Sequence, residues 1–206
     1  MKKIDYRKDL KALYCPSVRQ IEVVDVPAMP FLMVDGEGDP NTARSYAEAV
    51  ETLFTLSYTL KFMVKRGSLQ IDYSVFPLEG LWWADDPTLF LTGGKEEWKW
   101  TSMIAQPVFV TTEMVSKAIG ETRKKKGLAA LDRVRLEAFD EGKAAQIMYV
   151  GPYSEEGPTI ARIHAFIKEK GGFLSGKHHE IYLGDPRRTS PDKLKTIIRQ
   201  PFRAKR

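Results

Sequence analysis

The sequence is short of the residues that most often announce chemistry. It holds one cysteine, Cys15, so no intramolecular disulfide can form. The local Tyr14-Cys15-Pro16-Ser17 context supplies no base to raise a thiolate, and an inert thiol in a reducing compartment is expected. Of three histidines, two are adjacent at 178 and 179. Successive strand residues point to opposite faces and cannot chelate one ion. With no HExxH or CxxC spacing either, neither a metal nor another cofactor is expected. No apolar run approaches the roughly 18 residues of a membrane helix, and the opening MKKIDYRKDLKALY lacks the apolar stretch and cleavage site of a secretion signal. A cytoplasmic protein without a membrane partner is expected. A GxSxG elbow is absent. Gly36-Glu37-Gly38-Asp39-Pro40 carries two acids and a proline where a phosphate loop needs amide donors, so it reads as a turn.

What is present is an ordinary globular composition, 43% apolar and 29% charged over 206 residues, enough to bury a sizeable core. The formal net charge is +5, concentrated in Arg123–Lys126 and in the tail from Arg199 to Arg206. Cations at a helix end complement its dipole, and basic tails are commonly solvated. Without a helix-turn-helix, zinc or RNA-binding motif, nucleic acid is not the expected partner.

Strands are expected at Gln20–Val26, Phe31–Asp35, within Ser68–Trp83, and at Trp98–Ile104, Arg133–Phe139, Ala144–Val150, His178–Leu183 and Lys195–Phe202. Asp140–Lys143 reads as a hairpin-like turn. Helices are expected from Asn41 or Thr42 to about Lys65, from Thr111 or Thr112 to Lys126, and from Glu155 to Lys170. The first carries Ala49, Leu53, Leu56, Leu60 and Val64 at helical spacing, and the last carries Ile160, Ile163, Phe166 and Ile167. Three segment pairs recur in the same order: LMVDGEGD with IMYVGPYS, PLEGLWW with HHEIYLGD, and WTSMIAQP with LKTIIRQP. An internal duplication follows. The expected fold is α+β, a single domain over 1–206 made of tandem strand-helix-strand-strand modules, at about 20–127 and 133–202. They would form one curved antiparallel sheet with helices on one face and a ligand cleft on the other.

Within His178–Leu183, alternation puts His178, Glu180 and Tyr182 on one face and His179, Ile181 and Leu183 on the other. If Ile181 and Leu183 pack against helices, Glu180 faces the cleft, where partial desolvation by aromatics is expected to raise its pKa and suit it to a general base, or to a cation receptor; a solvated sheet surface is the plain alternative. All four tryptophans lie between Trp82 and Trp100, either as core or as a stacking wall. Glu79 beside them is a second candidate carboxylate. Met103, Tyr153 and His178 complete the candidate lining. His164 reads as a surface or packing residue.

PAMPFLMVDGEGDPN, PLEGLWW, WKWTSMIAQP and KHHEIYLGDPRRTSPDKLKTIIRQP together resemble the GyrI-like small-molecule-binding domain family over about residues 20–202, closest to its stand-alone branch. The resemblance implies tandem modules with pseudo-twofold symmetry and a glutamate at the base of the cleft, which Glu180 matches. Related transcription regulators use such a domain to sense lipophilic cations behind a DNA-binding domain. With about 20 residues ahead of the first strand, no such regulator is expected here. Some stand-alone members are similar to hydrolases that open the activated cyclopropane of DNA-alkylating natural products. That implies an aromatic ligand held by Trp82, Trp83 and Trp100, with Glu180 as base and Glu79 as its competitor. A phenol from Tyr73, Tyr149 or Tyr182 would support the oxygen that gains charge. The alternatives are a non-catalytic drug-binding or sequestering protein and a gyrase-modulating one.

Overall fold

The computed structural model describes residues 2–86 and 94–205; Arg206, the end of the basic tail, lies outside the described residues. Numbered in chain order, the strands are β1 (Lys2–Ile4), β2 (Glu22–Val26), β3 (Met29–Glu37), β4 (Ile71–Tyr73), β5 (Leu78–Trp83), β6 (Lys99–Ala105), β7 (Arg135–Phe139), β8 (Gly142–Val150), β9 (Gly172–Leu174), β10 (His178–Tyr182) and β11 (Lys195–Ala204). The helices are α1 (Tyr6–Asp9), α2 (Lys11–Tyr14), α3 (Arg44–Arg66), α4 (Thr112–Lys125) and α5 (Gly157–Glu169). None among the described residues is long and apolar enough to cross a membrane.

The chain divides into two units, one of Met1–Tyr6 with Met29–Phe139, the other of Arg7–Ala28 with Asp140–Arg206. In the first, β5, β6, β3 and β7 pair antiparallel in that order. In the second, β10, β11, β8 and β2 do the same. Each unit is therefore a strand, a helix and two strands plus one edge strand, and the internal duplication is a structural one within an α+β, antiparallel fold. The edge strands are exchanged with respect to chain order: β2 completes the second unit, and β7 the first. Asp140–Lys143 is not a hairpin turn. β8 has β2 along one edge and β11 along the other, so no edge is left for β7, which pairs with β3 instead.

The helix stripe read from the sequence is the core of α3, with Ala49, Leu53, Leu56, Leu60 and Val64 all buried. The helix begins at Arg44 rather than Asn41 or Thr42, because Asn41 turns back on Asp39, its amide N–H and Nδ2 both donating to Oδ1. Thr111 caps α4 as expected, accepting from the Met114 amide. In the second unit Ile163 and Ile167 of α5 close over Ala145, Ile147, Ile198 and Phe202.

The tryptophans of the first unit are mostly packing. Trp100 has no exposed surface, stands edge-on to Tyr46 of α3 at 5.1 Å, and fills the space over Gly36. A Cβ there would fall 2.2 Å from the indole ring, so only glycine admits this ring position. Gly36→Ala is expected to destabilise the protein by about 1–3 kcal/mol through overpacking, a fall of roughly 2–12 °C in thermal midpoint. Circular dichroism melting reads it, and an unchanged midpoint would show that the indole can shift at no cost.

Candidate functional site

The residues that carry chemistry gather in the second unit, around β10. Its register with β11 sets Glu180 opposite Ile198 and Tyr182 opposite Thr196. Directly opposed residues share a sheet face, and Ile198 packs under Ile163 and Ile167. Glu180 thus lies on the face that α5 covers. The alternation read from the sequence holds, but the inference that Ile181 takes the helix side and Glu180 the open side does not, because both faces are covered. The opposite one is closed by α2: Arg199 donates to Leu13 O at 2.7 Å, and Gln146 to Ala12 O at 2.7 Å.

Glu180 is neither at a solvated surface nor sealed, its side chain being 16% exposed. Tyr182 Oη donates to its Oε2 at 2.7 Å, and His178 Nε2 lies 3.2 Å from its Oε1. The raised pKa expected from desolvation is not what results: burial pushes this carboxyl up, but the His178 and Tyr182 contacts and the neighbouring His179 outweigh it, holding the group below the ordinary glutamate range and ionised at neutral pH.

Tyr153 sets its ring edge-on to Tyr182, with centroids 5.6 Å apart. Burial first, then the charges of Glu156, Glu180 and Asp185, push its phenol up to about 12. Tyr149 stands on the same face opposite Thr196 and donates to Pro152 O at 3.0 Å. His164, expected as a surface or packing residue, is half-buried on α5. Burial and the nearby His178 lower its pKa while Gln200 opposes them, and its Nε2 is buried without a partner among the described residues.

One member was missed. Glu156, the residue before α5, is 3% exposed, and burial together with the charge of Glu180 pushes its carboxyl to about 9, with Thr196 pulling the other way. Glu156 therefore keeps its proton at neutral pH while Glu180 does not. The only sequence signal is the doubled acid Glu155-Glu156 ahead of a helix, a pattern that ordinarily places both at a solvated helix start.

Of the residues singled out from the sequence, Glu180, His178, Tyr182, Tyr149 and Tyr153 belong to this cluster. Tyr73, Glu79, Trp82, Trp83, Trp100 and Met103 belong to the first unit. Tyr73 is 2% exposed and stands edge-on to Phe109; Trp100 and Met103 are wholly buried. These three are packed into the core of the first unit. Trp82 is nearly buried between Tyr46 and Trp98, and Trp83 is half-buried. Glu79, also nearly buried, pairs across with Met103. It is not the counterpart of Glu180. Superposing the repeats on Ile104 and Ile198 makes Met103 equivalent to Ile197, and Ile197 pairs with Ile181.

The rear face of β10 and β11 carries a second polar group. Glu141 is held by His179 Nδ1 at 2.9 Å and Arg199 Nη1 at 3.0 Å, with all three side chains at most 2% exposed. Arg199 is thus no part of a solvated tail. Burial raises the Glu141 carboxyl, but His179 and Arg199 outweigh it and keep it below its ordinary range. A groove of about 630 Å³ lies elsewhere, between α3 and α4, lined by Phe54, Tyr58, Phe62, Met63 and Lys125 among others; it holds none of the residues named for chemistry. Among the described residues, no cluster of three His, Cys, Asp or Glu is arranged to hold a metal ion.

These features define a class: duplicated antiparallel α+β proteins with an ionised glutamate set among phenols and imidazoles. The sequence matches the profile of the GyrI-like small molecule binding domain over residues 19–203, and the chain belongs to that family. A conserved protein from Listeria innocua, described as uncharacterized, is 43% identical, with a TM-score of 0.90 over 97% of this chain and 100% of that one. A hydrolase from Listeria innocua is also 43% identical, with a TM-score of 0.85 over the same shares. The C-terminal domain of EcmrR shares the fold at 10% identity, with a TM-score of 0.57 over 90% of this chain and 98% of that domain. No curated protein matches this sequence.

Proposed function

We propose that this protein binds flat, lipophilic small molecules at the Glu180 cluster and adds water to an activated cyclopropane ring within them. The observation that carries the reading is one carboxylate, ionised yet mostly shielded from solvent, pinned by Tyr182 and His178 and still partly exposed. Such a group accepts a proton from water without the mobility of a surface glutamate. The resemblance supplies the substrate class, and the 43% identical hydrolase supports a reaction in place of mere binding. Tyr182 is spent on Glu180 and Tyr149 on Pro152. Tyr153, whose side chain is partly exposed, is left to steady an oxygen that gains charge.

The test is to incubate the protein with an alkylating agent whose spirocyclopropane is conjugated to a carbonyl. A product heavier by one water in the mass spectrum, formed faster than in buffer, is expected. Saturable binding with only the unaltered compound recovered would remove the hydrolytic reading. That outcome favours the second one, capture of lipophilic cations by the Glu180 charge.

A further inference from the structure

We propose that Glu156 is the acid partner of Glu180, carrying the proton that ring opening must deliver to the oxygen at the far end of the conjugated system. The inference rests on the hydrolytic reading and adds a residue to it.

The geometry sets Glu156 apart from every other acid in the unit. It stands at the start of α5 yet makes no capping bond, although a side-chain oxygen there ordinarily accepts an amide N–H of the first turn. It is 3% exposed, and its Oε1 has no hydrogen-bond partner among the described residues. The Thr196 hydroxyl from β11 is buried beside it, near enough to pull on the carboxyl but outside hydrogen-bond geometry with any group among the described residues. No lysine or arginine pairs with Glu156 among the described residues. The groups facing it are Tyr149 from β8, Tyr153 from the preceding turn and Glu180 from β10, beside its neighbour Glu155. Glu141 shows what the same unit does with a buried glutamate it keeps ionised, giving it a histidine and an arginine. Glu156 receives neither. Buried, unpaired and beside a fixed negative charge, its carboxyl is neutral. Two carboxyls driven apart in this way divide acid and base between them.

The step balances. A proton leaves the attacking water for Glu180 as the water oxygen bonds to the ring carbon. The carbon–carbon bond of the ring breaks, and its electron pair passes through the conjugated system to the carbonyl oxygen. That oxygen takes the proton of Glu156. The proton on Glu180 then returns to Glu156, leaving one water added and both side chains as they began.

Glu156→Gln keeps the neutral shape of the protonated acid and cannot deliver a proton. With the conjugated spirocyclopropane as probe, kcat is expected to fall about 10²–10³-fold while KM changes less than about twofold. The unaltered protein should lose activity as pH rises through about 9, and the variant should lack that alkaline limb. Infrared difference spectra at neutral pH should show a protonated-carboxyl stretch that the variant lacks. A variant that turns over at the original rate with the limb intact, or that keeps the infrared band, overturns the acid role while leaving hydrolysis standing. No turnover by the unaltered protein, with the band present and lost in the variant, sinks hydrolysis and the acid role together and leaves only a carboxyl that holds a proton.

Discussion

Glu180→Gln is expected to lower turnover of the spirocyclopropane substrate by about 10²–10⁴-fold, the range a positioned general base contributes. The amide has nearly the same shape, and its oxygen still accepts from Tyr182 Oη, so the fold should persist with a thermal midpoint close to the original. What it cannot do is take a proton from water. The same change removes the charge that, after burial, does most to keep Glu156 protonated, so the alkaline limb of any residual activity should move to lower pH instead of staying near pH 9. Initial rates by mass spectrometry, with melting curves on the same preparation, read both effects. A variant of normal stability and normal rate would take the base away from Glu180.

The largest stability effect is expected at the rear of the same strand. Glu141→Ala leaves Arg199 and His179 buried without their anion, both at most 2% exposed. Breaking a buried charge pair by removing one partner costs about 3–5 kcal/mol, a fall of roughly 6–20 °C in midpoint for a chain of this length. Arg199 keeps its contacts with Gln146 Oε1 and Leu13 O, which places the effect within that range instead of beyond it. A shift of a degree or two would mean that water enters the cluster when the carboxylate goes. The pH dependence has a definite sign. Glu141 is depressed in the folded state, so its contribution is present above the ordinary value of 4.5 and disappears as pH falls through the lower folded value. Glu156 has the opposite sign. Its folded value is raised, so its contribution is full below 4.5 and declines as pH climbs toward about 9.

Much of this was legible in the chain. The stripe of α3, the pairing of Met33 with Met148 and of Ile104 with Ile198 as repeat partners, and the alternation that isolates Glu180 all rest on local periodicity, which sequence carries directly. What failed was whatever depends on a partner distant in the chain. Matching PLEGLWW with HHEIYLGD sets Glu79 against Glu180, but the strand register makes Glu79 equivalent to Ile181 and sends the two glutamates to different faces. The polar lead over residues 5–14 reads as helix-prone, and α1 and α2 form there, but its docking through the Ala12 and Leu13 carbonyls depends on Gln146 and Arg199, more than 130 residues further on. Glu156 was invisible for the same reason: its burial is decided by Glu180 and Thr196, 24 and 40 positions further on. Arg199 looked like tail because its anion stands 58 residues earlier.

The exchange of edge strands has a consequence for synthesis and for evolution. β2 leaves the ribosome more than a hundred residues ahead of β8, the strand it must pair with, and stays without it until about residue 150 has been made. The first unit can close once residue 139 has emerged; the second cannot begin in earnest until after it. A gene cut between β6 and β7 would yield two fragments, each carrying the other's border strand. The two halves are thereby inherited together, and the duplication that produced them can no longer be undone by a single break.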